Sequence, residues 1–194
     1  KVGGSFEDQQ ESFGDMGMLL RLILVLVYIV MAAQFESLRY PFIIMFSVPF
    51  AFVGLILSLF MTGETLNLMS LIGGVMLVGI VVKNGIVLVD YINLNRERGM
   101  GISQAVIVGG KSRLRPVLMT SATTILGMVP MAMGIGEGSE LWQPMGIAIV
   151  GGLTVSTLVT LVIIPTVYCW FASREVKSYR KKHSLHLSRR TVKE

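Results

Sequence analysis

The side chains of this sequence that could move a charge are few, and they stand inside apolar runs. Lys83, Asn84 and Asp90 interrupt the run over 68–94, and Arg113 and Thr120 stand where the chain enters the run over 116–134. A charge near the centre of a bilayer costs at least ~2.5 to 3.5 kcal/mol on insertion scales, so it persists mainly where it is paired, hydrated or functional. Lys83 lies 15 residues into its run, at least two turns from either end and too deep to snorkel easily. Asp90 shares its helical face but follows seven residues later, about 10.5 Å along the axis and beyond salt-bridge reach. No other acid of the sequence lies at matching depth. An unpartnered Lys83 would lose its proton or recruit a carboxylate, so the sequence predicts an acidic partner outside these 194 residues, in the rest of the polypeptide or another chain.

Arg113 and Thr120 are also seven apart and share a face, with Thr120 a turn or more into the membrane. A stripe of Lys83, Thr120 and Arg113 would form a short hydrophilic path from the membrane interior to the cytoplasm. The same residues also fit basic anchors plus a threonine bonded to its own helix, and spacing alone does not choose between the two. Asp90 reads as a secondary polar candidate, partly solvated at the cytoplasmic end of its helix. Arg21, about five residues into the first run, is within snorkelling reach of the outer surface.

Positioning these groups requires membrane helices. Of the residues, 53% are hydrophobic and 15% charged, with a mean hydropathy of +0.69, whereas a soluble domain carries about 25% charge. The apolar residues fall into five runs, at about 16–34, 41–61, 68–94, 116–134 and 144–171. Each is near the ~20 residues that carry a helix across roughly 30 Å of hydrocarbon. The expected fold class is all-α, a polytopic membrane bundle of five transmembrane helices over 16–171 with a basic loop between the third and fourth. The flank 1–15 and the tail 172–194 are too short to bury a catalytic core.

The basic residues lie on one side of these spans: Arg39, then Arg96, Arg98, Lys111, Arg113 and Arg115, then eight in the tail. The other side holds Lys1 alone. By the positive-inside rule the N-terminus is outside and the C-terminus cytoplasmic. The net charge of +5 thus reports topology rather than a nucleic-acid surface. Glu7, Asp8, Glu11, Asp15, Glu64, Glu137 and Glu140 cluster outside and give weaker support.

Pro41, Pro116 and Pro144 fall in first turns, where the missing N–H costs nothing, while Pro49, Pro130 and Pro165 fall inside spans as kinks, either hinges or fixed packing geometry. Ser70, Gly73, Gly74, Gly79 and Gly85 in the third span, and Gly146, Gly151 and Gly152 in the fifth, let helix backbones approach closely. These two spans are expected to be interior. The single cysteine, Cys169, permits no internal disulfide and reads as a packing residue. The sequence opens Lys-Val-Gly-Gly with neither initiator Met nor signal peptide, as an excerpt of a longer polypeptide would.

The run Gly79-Ile80-Val81-Val82-Lys83-Asn84-Gly85-Ile86-Val87-Leu88-Val89-Asp90-Tyr91, followed by Arg113-Leu114-Arg115-Pro116-Val117-Leu118-Met119-Thr120-Ser121, strongly resembles the last transmembrane third of resistance-nodulation-division (RND) efflux permeases. Met31-Ala32-Ala33-Gln34-Phe35-Glu36-Ser37-Leu38, running into Pro41-Phe42-Ile43-Ile44-Met45, resembles the junction of that family's eighth and ninth helices, nearest the hydrophobe/amphiphile subfamily. The resemblance covers residues 5–172. It implies that the five spans are the eighth to twelfth helices of a twelve-helix protomer, and that 1–15 end a periplasmic porter segment.

The resemblance further implies export of drugs or other amphiphilic solutes by a homotrimer in the bacterial inner (cytoplasmic) membrane, driven by the proton-motive force without a cofactor. The implied partners are the rest of the protomer, a periplasmic adaptor, an outer-membrane channel and membrane lipid. In that family two aspartates on the fourth helix exchange protons with a lysine, an arginine and a threonine on the tenth and eleventh. These map onto Lys83, Arg113 and Thr120, with Asn84 following the lysine as the pattern expects. The carboxylate that Lys83 lacks is then supplied by that aspartate pair.

An intramembrane enzyme lacks support, because no His-Glu-x-x-His pair is present and both histidines, His183 and His186, lie in the polar tail. Neither a Ser/His dyad nor a metal set forms within the spans. The remaining alternatives are a non-transporting membrane scaffold or accessory module, and a lipid- or protein-export relative of the same superfamily. The intramembrane lysine argues against a mere scaffold.

Overall fold

The computed structural model describes the backbone of residues 3–136 and 138–191 and the side-chain surroundings of 12–136 and 138–172. Glu7, Asp8, Glu11, Glu137, His183, His186 and the basic tail from Arg174 onward have side chains outside the described residues. The described backbone is helical, with no strand: α1 Gly3–Phe35, α2 Arg39–Met45, α3 Val48–Thr62, α4 Leu68–Glu97, α5 Ile102–Ala132, a 3-10 turn Ser139–Leu141, and α6 Gln143–Thr191.

Four stretches among the described residues are long and apolar enough to cross a membrane: Ser12–Phe35, Arg39–Thr62, Leu68–Glu97 and Gln143–Ala172. The fifth expected span, 116–134, is helical as far as Ala132, the end of α5, and is not among these four; Thr120, Ser121, Thr123 and Thr124 stand in its first half. Three of these hydroxyls are satisfied by their own helix. Thr120 Oγ1 donates to the Pro116 carbonyl at 2.8 Å, Thr123 to Met119 at 2.8 Å and Thr124 to Thr120 at 2.9 Å. Such back-bonding lets a polar side chain enter an apolar medium without water.

The expected basic loop between the third and fourth spans is helix over residues 102–115. The connection shrinks to 98–101, turned by Gly99 at φ +87°. Ala105 and Val106 are buried in the same core cluster as Ile92 of α4, and a Cβ on Gly109 would meet the Ile92 side chain at 2.7 Å. This apolar face holds the segment against α4 while Lys111 and Arg115 stay exposed. Pro116 consequently sits inside α5 rather than in a first turn.

The run over 41–61 is broken at 46–47. Pro49 cannot donate to the carbonyl one turn earlier, so the helix ends and restarts with the proline in the first turn of α3. The buried Ser47 hydroxyl donates to the Ile44 carbonyl at 2.6 Å across the break. At the other end of the pair, Asn67 caps α4 reciprocally with Ser70: its Oδ1 accepts from the Ser70 N–H at 2.9 Å.

The interior is built as the small residues predict. In the apolar windows of α4 and α6, 56% and 50% of the residues are buried, against 6% in α1. α6 packs on α3, α4 and α5. A Cβ on Gly151 would overlap the Ser58 side chain of α3, and one on Gly152 would overlap Leu77 of α4. Gly79 differs, since nothing lies within 4 Å of an added Cβ there. Cys169 is half-buried against the core cluster that contains Ile44, Ile92 and Tyr168.

Candidate proton-relay site

Successive residues of an α-helix point about 100° apart, and α4 uses this to aim Lys83 and Asn84 in different directions. Lys83 is exposed, and it makes no hydrogen bond or ion pair among the described residues. With Gly79 and Ile86 it forms one wall of a groove of about 380 Å³, whose other wall includes Leu26, Val27 and Val30 of α1. Lys83 is the sole charged residue lining that groove. The open Cβ position of Gly79, one turn earlier, widens the groove beside the ammonium.

Asn84 turns inward and is 7% exposed. Its Nδ2 donates to Ser121 Oγ of α5 at 3.4 Å, and Thr157 Oγ1 of α6 donates to the same oxygen at 3.0 Å. Ser121 and Thr157 are themselves buried, so a polar chain joins α4, α5 and α6 in the interior of the bundle. The buried Thr160 hydroxyl, one turn beyond Thr157, has no hydrogen-bond partner.

Arg113 is half-buried with its guanidinium 4.4 Å from the centroid of the Tyr91 ring, a cation–π contact that ties α5 to α4. Its buried Nε makes no hydrogen bond. Thr120 is exposed and bonded to its own helix. Asp90 is exposed. Arg21 Nε donates to the Gly17 carbonyl at 3.2 Å. The structure thus joins Asn84 to α5 and Arg113 to α4, and it does not bring Lys83, Arg113 and Thr120 into mutual contact.

Sequence reasoning assigned no role to Thr157 or Tyr91. A signal existed for Thr157, because Thr154, Ser156, Thr157 and Thr160 make one stretch of an otherwise apolar helix rich in hydroxyls. Tyr91 carried no local signal, since its partner lies across the turn in another helix. Removing the shared acceptor by Ser121→Ala leaves the Asn84 amide and the Thr157 hydroxyl unpaired, at an expected cost of about 1–2 kcal/mol. Thermal unfolding in detergent should show that loss for Ser121→Ala and a clearly smaller one for Thr123→Ala, whose hydroxyl is exposed and self-bonded.

The sequence profile of the AcrB/AcrD/AcrF family matches residues 1–172. The chain belongs to this family of RND permeases. The swarming motility protein SwrC of Bacillus subtilis is 40% identical over 168 residues, covering 86% of this chain and 16% of that protein. The multidrug resistance protein MdtC of Proteus mirabilis is 36% identical over 182 residues, covering 93% of this chain and 18% of that one. An X-ray crystal structure of a heavy metal efflux pump superposes with a TM-score of 0.79 at 33% identity, covering 87% of this chain and 16% of that chain. The all-helical RND segment described above therefore spans about one sixth of the length of the relatives it matches.

Proposed function

We propose that these helices supply one side of the proton relay in an exporter of drugs or other amphiphilic solutes, as the eighth to twelfth helices of a twelve-helix protomer. The observation that carries this reading is Lys83, a lone charge midway along α4 in a groove otherwise lined by apolar side chains and glycine. Such a groove suits an apolar helix, and Lys83 requires of that helix a carboxylate. With the carboxylate ionised, an ammonium ~4 Å away at an effective dielectric of ~20 is held by about 4 kcal/mol. A proton arriving from the periplasm neutralises the carboxylate, and the ammonium swings toward Thr120 or Asn84. Because Asn84 is tied through Ser121 to α5 and α6, a displacement of α4 is passed to both.

On this reading the protomer assembles as a homotrimer in the bacterial inner membrane with its C-terminus in the cytoplasm, and works with a periplasmic adaptor and an outer-membrane channel. The similarity to a multidrug resistance protein supports an organic substrate. A second reading, a divalent metal cation as cargo, draws on the likeness to the heavy metal efflux pump. The two separate in proteoliposomes carrying the complete transporter under an imposed proton gradient, with ethidium or Zn²⁺ as cargo. Gradient-dependent movement of ethidium is the expected result. Movement of Zn²⁺ alone establishes the second reading, and movement of neither returns the chain to the scaffold or the lipid- or protein-export alternative.

A further inference from the structure

A polar cavity of about 240 Å³ opens far from Lys83, where the α1–α2 turn meets the last turn of α4 and residues 168–172 of α6. Ser37, Arg39, Tyr40, Arg96, Tyr168 and Phe171 line it. Two arginines and three hydroxyl-bearing residues thus line one space, and none of its lining residues among those described carries a carboxylate; Arg39 also makes a further interaction of its own. A water molecule occupies about 30 Å³ of liquid, so a phosphate group and several waters fit.

The basic wall is held in place by aromatic packing. Arg96 Nη1 donates to the Tyr168 hydroxyl at 3.3 Å, and that hydroxyl donates to Asn93 Oδ1 at 2.5 Å. Tyr40 stacks on Tyr168 with ring centroids 5.7 Å apart and 12° between planes, and Phe35 tilts onto Tyr40 at 5.8 Å. A planar guanidinium presents five N–H donors in a fork that matches phosphate oxygens, and Tyr168 receives from one nitrogen of it.

The surroundings place the cavity at the level of lipid headgroups. Phe42 and Trp170, both exposed, pack edge-on against Phe171, and tryptophan and tyrosine, here Trp170, Tyr40 and Tyr168, concentrate at the membrane–water boundary. Arg98, Lys111 and Arg115 are exposed on the same side of the spans, the side that the charge asymmetry makes cytoplasmic. Leu38, Phe42 and Phe46 leave an exposed apolar surface on α2 and its flanks, against which acyl chains can lie.

We propose that this cavity binds the phosphate of an anionic lipid headgroup from the cytoplasmic leaflet, joining α1–α2, α4 and α6 at one end of the bundle. Basic pockets between membrane helices on the cytoplasmic side are suited to such headgroups. The proposal uses the membrane orientation given above, but it does not depend on proton coupling.

The test is native mass spectrometry of the complete transporter, purified with equal phosphatidylglycerol and phosphatidylcholine and then stripped of loosely held lipid. The wild type should retain phosphatidylglycerol over phosphatidylcholine by at least about fivefold. Arg96→Gln and Arg39→Gln should each reduce the preference toward parity, and Arg96→Lys should keep part of it. Arg39 is exposed, so its variant serves if Arg96→Gln does not fold. Equal retention of the two lipids by the wild type, an unchanged preference in the Gln variants, or displacement of the lipid by excess inorganic phosphate overturns the proposal. Export by the same preparations is scored separately, so an inactive transporter that still selects phosphatidylglycerol fails the relay reading alone.

Discussion

Lys83→Met in the complete transporter is expected to reduce export at least about 100-fold while leaving the protein assembled. The reasoning rests on where the side chain sits. Lys83 is exposed to the groove between α1 and α4 and bonds to nothing among the described residues, so its removal opens no cavity and orphans no partner within this bundle. On the proposed relay, what it removes is the attraction to an arriving carboxylate, about 4 kcal/mol at ~4 Å and a dielectric of ~20, or nearly three powers of ten in a two-state equilibrium. Methionine keeps the length and apolar stem of the side chain and deletes the charge alone. Lys83→Arg, which retains the charge in a different shape, should recover part of the activity. Asp90→Asn should change export little, because Asp90 is exposed two turns further along α4. Cellular export of ethidium, with native gel analysis of the assembled protein, checks all three. Normal export by Lys83→Met, or loss of assembly in parallel with loss of export, contradicts the assignment.

The largest expected effect on stability is at the seam between α3 and α6. A Cβ on Gly54 would lie 2.7 Å from the Val155 Cβ and 2.9 Å from the Gly151 carbonyl, and one on Gly151 would lie 3.1 Å from the Gly54 carbonyl in return. The two backbones therefore meet glycine to glycine. Ser58 bridges the same seam by donating to the Ile147 carbonyl of α6 at 3.1 Å. Gly151→Val forces the helices apart and breaks that bridge, at a cost of about 3 kcal/mol or more. Because α6 also carries the contacts to α4 and α5, the damage spreads through the bundle. Thermal unfolding and folded yield in detergent should fall sharply for Gly151→Val, whereas Gly110→Ala, whose added Cβ meets nothing within 4 Å and which lies outside the Lys83 groove, should leave both near the wild type. Equal behaviour of the two variants contradicts the packing account.

The fold was legible where hydropathy and small residues carry the information. Apolar runs marked the helices, and the glycines at 151 and 152 marked the interior, because close approach of backbones in lipid needs residues without side chains. Pro49 marked a disruption, and the structure makes it a full break. The start of α5 departs from the expected loop because Lys111 and Arg115 stay exposed on a helix that the apolar face of Ala105, Val106 and Gly109 pins to α4.

Lys83 was conspicuous in the sequence, since an intramembrane lysine stands out on energetic grounds alone, and the structure sets it in the groove between α1 and α4. Its polar connections were not. Asn84 finds Ser121 across 37 residues and Tyr168 finds Arg96 across 72, and no local periodicity encodes contacts of that range. Thr120 shows the reverse case: spacing allowed both a shared polar stripe and a bond to its own helix, and the structure realises the bond.

The most direct test of the central claim follows protons rather than cargo. Proteoliposomes of the complete transporter, loaded with a pH-sensitive dye, are given a transported substrate, and the resulting proton movement is compared between wild type and Lys83→Met. The account predicts substrate-dependent proton movement in the wild type and none above background in Lys83→Met, with substrate binding retained. Proton movement at the wild-type rate in Lys83→Met would contradict it.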